Sequence, residues 1–393
     1  MRILILVDCE VTSANSASAL VDDLAWALCE RRHEVVVAFP VVGPLEASRF
    51  VQAGRHRWLQ VRSPRTKEIW RFTRGMSEAL LPYRMWWGAK GQLAEFSADL
   101  VVYYSPTIFW APLVKRLRRT HQCRTYLVLR DIFPQWALDA GVLSHGPAYL
   151  ALKAVERAQY RLADVIGVQS PKNLDYFKST RVTKGKRIEV LYNWVRPVRV
   201  DGTGEWRRKL GLGDRVTFVY GGNMGVAQDM DNVLRLAAAL PPSRSHFVLV
   251  GRGSEVARLQ AAVLEKGLSN VAIIPPLERL QFLALVADSD VGLISLDRRL
   301  STHNIPGKLL SYLNCGKPVL ASVNDGNDLR QIVEGAGAGV VVTNGDDAAF
   351  HAAAQRMVDD LAWRQACGEN GGRLLVEHFS AEAAARQIEA GVC

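Results

Sequence analysis

The densest group of residues able to meet an anion is the run Ser301-Thr302-His303-Asn304-Ile305-Pro306-Gly307-Lys308. Pro306 suits the first turn of a helix, where its missing N–H costs nothing. Gly316 stands where a helix stop is wanted, and Pro318 follows just beyond it. The loop ahead of that helix then presents free backbone N–H groups, and Lys308 places a positive charge near its start. Both features suit a diphosphate. An ordinary capped helix accounts for Pro306 and Gly316 but leaves the polar residues Ser301 to Asn304 unexplained, so the ligand reading is preferred. Two shorter segments repeat the theme. In Tyr220-Gly221-Gly222-Asn223-Met224-Gly225 the glycines let the backbone approach a ligand closely. In Val250-Gly251-Arg252-Gly253-Ser254 a guanidinium sits inside the turn, where it can meet two oxygens through parallel donors. A tight strand-to-helix turn with a solvent-facing Arg is the plain alternative. In the first half, Asp131 either orients a substrate or caps a helix start ahead of Phe133-Pro134. Asp288-Ser289-Asp290 has the look of a metal-binding DxD, yet it leads into the apolar run Val291–Ser295 and reads as a helix-end cap.

These residues need a scaffold, and the apolar pattern supplies one. Ile3–Val7, Glu34–Phe39, Leu100–Tyr104, Thr125–Leu129, Val165–Gln169 and Ile188–Leu191 are short runs of the kind expected of parallel strands covered on both faces. Helical spacing, as in Leu20, Leu24, Ala27 and Leu28, separates several of them. After Val198–Gly213, which is poor in apolar residues, the alternation restarts with strands at Thr217–Tyr220, Phe247–Val250, Val271–Ile274, Val291–Ser295, Val319–Ala321 and Gly339–Val342. Alternating strands and helices argue for α/β units with parallel sheets. The expected organisation is a first α/β domain over 1–197, a linker over 198–213, a second over 214–378, and a last helix over 379–393 capped by Ser380. Two doubly wound, Rossmann-like sheets place a cleft between them at the carboxyl ends of the strands, where open α/β sheets bind ligands.

The 393 residues, 49% apolar and 22% charged, exclude disorder as the default and give room for two cores. No stretch approaches the roughly 18 apolar residues of a membrane span. Asp8 and Glu10 end the opening apolar run too early for a signal peptide, and the six cysteines form no CxxC pair. A cytoplasmic protein is expected. Its net charge of +10 is uneven: residues 1–195 carry 28 Lys+Arg against 17 Asp+Glu, and residues 196–393 carry 21 against 22. Residues 49–90 hold ten Lys/Arg against Glu68 and Glu78, interleaved with Trp58, Trp70, Phe72, Tyr83, Trp86 and Trp87. Such a surface suits the inner face of an anionic membrane. A solvated basic face with tryptophans in the core explains it equally, and nucleic acid is not expected, since no recognised module accompanies the charge.

Taken together, the chain resembles retaining glycosyltransferases of family 4, of the two-Rossmann-domain (GT-B) class, and among them those that extend lipopolysaccharide or O-antigen saccharides with sugars such as N-acetylfucosamine. The resemblance rests on Arg32-His33-Glu34-Val35, Leu129-Arg130-Asp131-Ile132-Phe133-Pro134, Leu191-Tyr192-Asn193-Trp194-Val195, both glycine segments, and Pro306–Val319. It implies a donor, a UDP-sugar carrying an N-acetylated hexose or deoxyhexose, held by Gly222, Asn223, Gly251, Arg252, His303, Asn304, Pro306, Gly307, Lys308 and Ser311. It implies an acceptor, a lipopolysaccharide or lipid-linked saccharide, near Ser13, Asn15, Arg130 and Asn193. Lys308, Arg252 and Asp131 would carry catalysis, with no metal and no cofactor. Many family members have two glutamates eight positions apart where this chain has His303 and Ser311. A sugar-nucleotide epimerase of the same fold, or a non-catalytic nucleotide-sugar-binding scaffold, are the alternative readings.

Overall fold

The computed structural model describes residues 1–11, 16–43, 47–65, 71–139, 141–178, 181–300 and 305–392. By internal contacts the chain forms two units, Met1–Arg196 together with Ser380–Cys393, and Pro197–Phe379.

The first unit is built on β1 (Arg2–Leu6), β2 (Glu34–Val41), β3 (Ser48–Ala53), β4 (His56–Arg62), β5 (Leu100–Ser105), β6 (Arg124–Leu129), β7 (Val165–Val168) and β8 (Arg187–Val190). Their spatial order is β3-β4-β2-β1-β5-β6-β7-β8. Only the edge pair β3–β4 is antiparallel. Successive side chains point to opposite faces, so one run of apolar residues feeds two cores. Ile3, Ile5 and Val7 pack with Val37 and Phe39 on one face, and Leu4 and Leu6 with Val36 and Ala38 on the other. The helix Ala381–Val392 belongs here. Ala381, Ala384, Ala385 and Ile388 pack with Val21, Leu24 and Leu28 of the helix Ser16–Glu30. Ser380 caps its start by accepting from the N–H of Ala383 at 3.1 Å. Near its end, Glu389 pairs with Arg31 at 2.5 Å and with His33.

The second unit holds β9 (Val216–Asn223), β10 (Ser245–Arg252), β11 (Val271–Ile274), β12 (Val291–Ser295), β13 (Val319–Val323) and β14 (Gly339–Thr343), all parallel, in the order β11-β10-β9-β12-β13-β14. The strand order reverses between β9 and β12. This is the switch point outside which doubly wound sheets bind ligands. Residues 198–213, read from sequence as a linker, lie in this unit and include a short helix, Glu205–Lys209. Among the described residues, no helix is long and apolar enough to cross a membrane.

Candidate functional site

In the second unit the glycine segments are strand ends rather than the turns expected from sequence. β9 runs through Gly222 and Asn223, and β10 through Gly251 and Arg252, in register as Gly251↔Gly222 and Arg252↔Asn223. The two backbones touch: a Cβ on Gly251, whose φ is +154°, would overlap the carbonyl oxygen of Gly222. Gly222 itself, at φ +125°, is open above. A Cβ there would meet only Lys308, at 3.8 Å from Cε and 4.0 Å from Nζ. The lysine amine therefore lies over bare backbone at the carboxyl end of the central strand.

Lys308 opens the helix Lys308–Asn314, which Tyr312 fixes to the sheet. The Tyr312 hydroxyl donates to the Leu293 carbonyl on β12 at 2.9 Å and accepts from the Gly221 N–H on β9 at 3.2 Å. Its ring covers Gly292 so closely that any side chain there would collide with it. The helix thus spans the β9–β12 switch point and carries Lys308 to it. The amine rests 3.6 Å from the centroid of the Tyr220 ring. Among the described residues no carboxylate forms an ion pair with it, and burial without a counter-ion lowers the amine from the ordinary lysine value to about 7. The ring face offers partial compensation as a cation–π contact.

Around this amine the polar groups are tied back. The Tyr220 hydroxyl donates to the Asn223 carbonyl at 2.6 Å. Asn223 Nδ2 donates to Gln228 Oε1 at 2.8 Å, and the same oxygen accepts from the Gly225 N–H at 3.0 Å. Arg252 is exposed and, among the described residues, enters no ion pair. Pro306 and Ser311 are half-buried and Gly307 is exposed around the helix start. His303 and Asn304 lie outside the described residues. An unpaired amine, a free guanidinium and an uncovered glycine make a patch that carries positive charge and lacks its own anion. Such a patch can accept a phosphate or diphosphate through charge-assisted hydrogen bonds.

The first-unit candidates divide differently. Asp131 follows β6 and is exposed, and desolvation raises its carboxyl above the ordinary value against the opposing pull of Arg130. Arg130 itself is buried, with Nη1 donating to the Leu191 carbonyl at 2.7 Å and Cζ 4.8 Å from the Trp194 ring centroid. Its role in the structure is to tie β6 to the segment after β8. Asn193 is half-buried on that segment, its Oδ1 without a hydrogen bond. Ser13 and Asn15 lie outside the described residues. The DxD look-alike is a brace: Asp288 accepts from the N–H groups of Gly204 and Trp206 at 2.8 and 2.9 Å, and Asp290 from Thr217 N–H and Arg207.

Sequence reasoning missed the roles of Tyr220 and Tyr312, whereas Asn223 and Gln228 stand where the resembling family often carries an Arg and a Lys. The signal was present for Tyr220, which directly precedes the paired glycines, but a tyrosine ending an apolar strand reads as core. Tyr312 carries no signal outside three dimensions.

Residues 17–199 match the family described as Glycosyltransferase Family 4, and residues 215–360 match Glycosyl transferases group 1. Over 249 residues the chain is 26% identical to the putative colanic acid biosynthesis glycosyl transferase WcaI of Escherichia coli K12, covering 60% of each chain. Over 246 residues it is 25% identical to the probable glycosyltransferase WbjE of Pseudomonas aeruginosa, covering 60% of this chain and 59% of that one. The match thus spans about 60% of the length of these curated relatives. Among solved structures, a sucrose-phosphate synthase from Thermosynechococcus elongatus aligns with a TM-score of 0.72 at 19% identity, over 99% of this chain and 97% of that one. Anabaena Alr3699/HepE, solved with UDP and glucose, aligns at 0.65 and 15%, over 99% and 98%. WaaG, a glycosyltransferase involved in lipopolysaccharide biosynthesis, aligns at 0.64 and 16%, over 99% and 98%.

Proposed function

The chain belongs to glycosyltransferase family 4, with the GT-B fold, and on that premise we propose that it transfers a sugar from a UDP-sugar to a lipopolysaccharide or lipid-linked saccharide, with retention at the anomeric carbon. One observation carries the reading: the Lys308 amine lies over uncovered Gly222 at the strand-order reversal, with Arg252 on the neighbouring strand end, and among the described residues neither cation forms an ion pair. A nucleoside diphosphate fits this patch because it brings the anion that the patch lacks. In glycosyl transfer, negative charge grows on the departing diphosphate, and fixed cations act most strongly where charge develops. Lys308 and Arg252 fill that role without calling on a metal ion. The attacking hydroxyl approaches on the leaving-group face and passes its proton to the donor phosphate, so no protein base is required. Asp131 in the first unit orients the acceptor. The transferred sugar is an N-acetylated hexose or deoxyhexose, and the product belongs to lipopolysaccharide or O-antigen assembly; the name of WaaG supports the lipopolysaccharide part, and that of WcaI, with colanic acid, supports polysaccharide assembly more broadly. A lipid-linked acceptor requires the enzyme to work at the inner, anionic face of a membrane.

The test is a melting-temperature shift against UDP-, GDP- and dTDP-sugars, since a ligand that binds only the native state raises that temperature. UDP-sugars are expected to give the shift in the native protein, and Lys308→Ala to abolish it. A shift that survives Lys308→Ala and Arg252→Ala unchanged would remove this patch from donor binding.

A further inference from the structure

The basic, tryptophan-containing region of residues 49–90 resolves into parts with different fates. Trp58 is partly buried against Phe39, their ring centroids 5.9 Å apart, and Trp86 is 7% exposed. The outward face of the helix Arg71–Phe96 carries something else. Met76, Leu80, Tyr83 and Trp87 are 54%, 45%, 51% and 68% exposed. Their spacing of four, three and four residues confines them, at about 100° per residue, to an arc of about 60°. Leu81 and Met85 on the opposite side are buried. The helix is therefore apolar on two faces and, among the described residues, has a protein partner for only one. Fifteen large apolar residues are exposed among the described residues, and four of them form this single stripe. Single exposed apolar side chains need no explanation, but a contiguous row does.

Cations border the row. The Lys90 amine lies 5.9 Å from the Trp87 ring centroid. Arg116, on the adjacent helix Ala111–His121, lies 4.3 Å from the Trp86 centroid and 6.0 Å from that of Trp87. Lys115 and Arg119 on that helix are exposed as well. Of the acidic residues, Glu78 is paired with Arg74 at 2.7 Å. A second copy docked by two-fold symmetry would set these cations against their own equivalents. A nucleic acid would use the cations and leave Met76 and Leu80 without purpose. An anionic bilayer uses both.

We infer that the stripe Met76, Leu80, Tyr83 and Trp87 is a membrane-docking surface, inserting its apolar side chains at the headgroup boundary while Lys90, Arg116 and their neighbours hold anionic lipid. The inference rests on the membrane-proximal part of the proposed function and names the surface that does it.

The experiment uses the full chain and co-sedimentation with phosphatidylcholine vesicles, with and without phosphatidylglycerol. The native protein is expected to sediment with the anionic vesicles only. Lys90→Glu with Arg116→Glu should lower partitioning at least about twentyfold, as each cation near the surface contributes about fivefold. Leu80→Ser with Trp87→Ser should lower it about tenfold or more, since buried apolar area adds to electrostatic attraction. Both double variants keep the UDP-sugar melting shift of the native protein, which shows an intact fold. If the native protein sediments with anionic vesicles and both variants do so equally, the stripe is not the contact, although the membrane reading stands. If the native protein ignores anionic vesicles, both fail. A native dimer that the Leu80/Trp87 variant converts to monomer, with no vesicle binding, would reassign the stripe to self-association.

Discussion

Donor binding at Lys308 is expected to take up a proton. In the ligand-free protein the amine titrates near pH 7, because it is desolvated beside Tyr220 and, among the described residues, pairs with no carboxylate. A bound diphosphate supplies that charge and returns the amine toward the ordinary lysine range. The charged fraction of a group with this value is about 0.9 at pH 6 and about 0.1 at pH 8. Affinity for a UDP-sugar should therefore fall about tenfold between those pH values, and binding at pH 8 should take up about 0.9 proton. A UDP-sugar is the right probe because its diphosphate is doubly esterified and does not itself titrate in this window, unlike free UDP. Titration calorimetry in buffers of different ionisation enthalpy reads both the affinity and the proton. Lys308→Arg keeps its charge above pH 12 and should flatten the slope. The same shift has a consequence for stability. The folded value lies below the unfolded one, so between about pH 7 and 10 the unfolded chain binds more protons and stability rises with pH. Lys308→Met should accordingly stabilise the ligand-free protein, most at or below pH 7, by about 2–4 kcal/mol after allowance for the amine's partial exposure. A pH-independent affinity with no proton uptake would refute the reasoning, and with it the desolvated amine as the phosphate ligand.

Gly251→Ala should destabilise the second unit by about 3 kcal/mol or more, because the added Cβ collides with the Gly222 carbonyl and the φ of +154° is closed to other residues. Denaturant unfolding measures it, and a loss below 1 kcal/mol (about a fivefold change in the unfolding equilibrium) would contradict the strand-end packing. Glu389→Gln should loosen the helix Ala381–Val392, seen as faster amide exchange there at pH 7. Burial alone would raise the Glu389 carboxyl, but Arg31 and His33 more than reverse this and hold it below its ordinary value. The stabilisation is thus present above about pH 4.5 and lost as pH falls through the lowered value, so the native protein and the Glu389→Gln variant should converge in acid. Asp131→Asn should lower transfer at least about tenfold in kcat, while UDP-sugar affinity stays within about twofold. An equal loss in donor affinity would move Asp131 out of the acceptor role.

Much of the framework was readable from the chain alone, because parallel strands covered on both faces leave unbroken apolar runs such as Ile3–Val7 and Phe247–Val250. What escaped has physical causes. The hairpin β3–β4 was not expected, since half-exposed edge strands carrying Arg49 and Arg57, joined by a turn through Arg55, look like a solvated basic surface. Just after the first helix ends at Glu30, Arg32 adopts a left-handed φ of 66° that its residue type does not signal. The candidate residues Gly222, Arg252 and Lys308 stood out because glycine and cation recur where strands end. The groups that tune them did not. Tyr220 sets the environment of Lys308 through a ring contact across 88 residues of sequence, and Tyr312 locks its helix through a hydroxyl shared by two strands. Such contacts exist only once the sheet has brought them together. The same holds for the outer stripe of Arg71–Phe96, since helical spacing alone does not tell which of two apolar faces finds a partner.

The first unit is not continuous along the chain, for its core takes Ala384, Ala385 and Ile388 from residues that follow the whole second unit. During vectorial synthesis the groove beside Val21, Leu24 and Leu28 must wait, uncovered, while the ribosome completes another 183 residues, Pro197 to Phe379. The nascent chain therefore passes through a long interval in which the first body is missing a wall while the second is still being made. Chaperones have their clearest target in that interval, and a premature stop between Pro197 and Ser380 leaves the seam open and the early half unfinished.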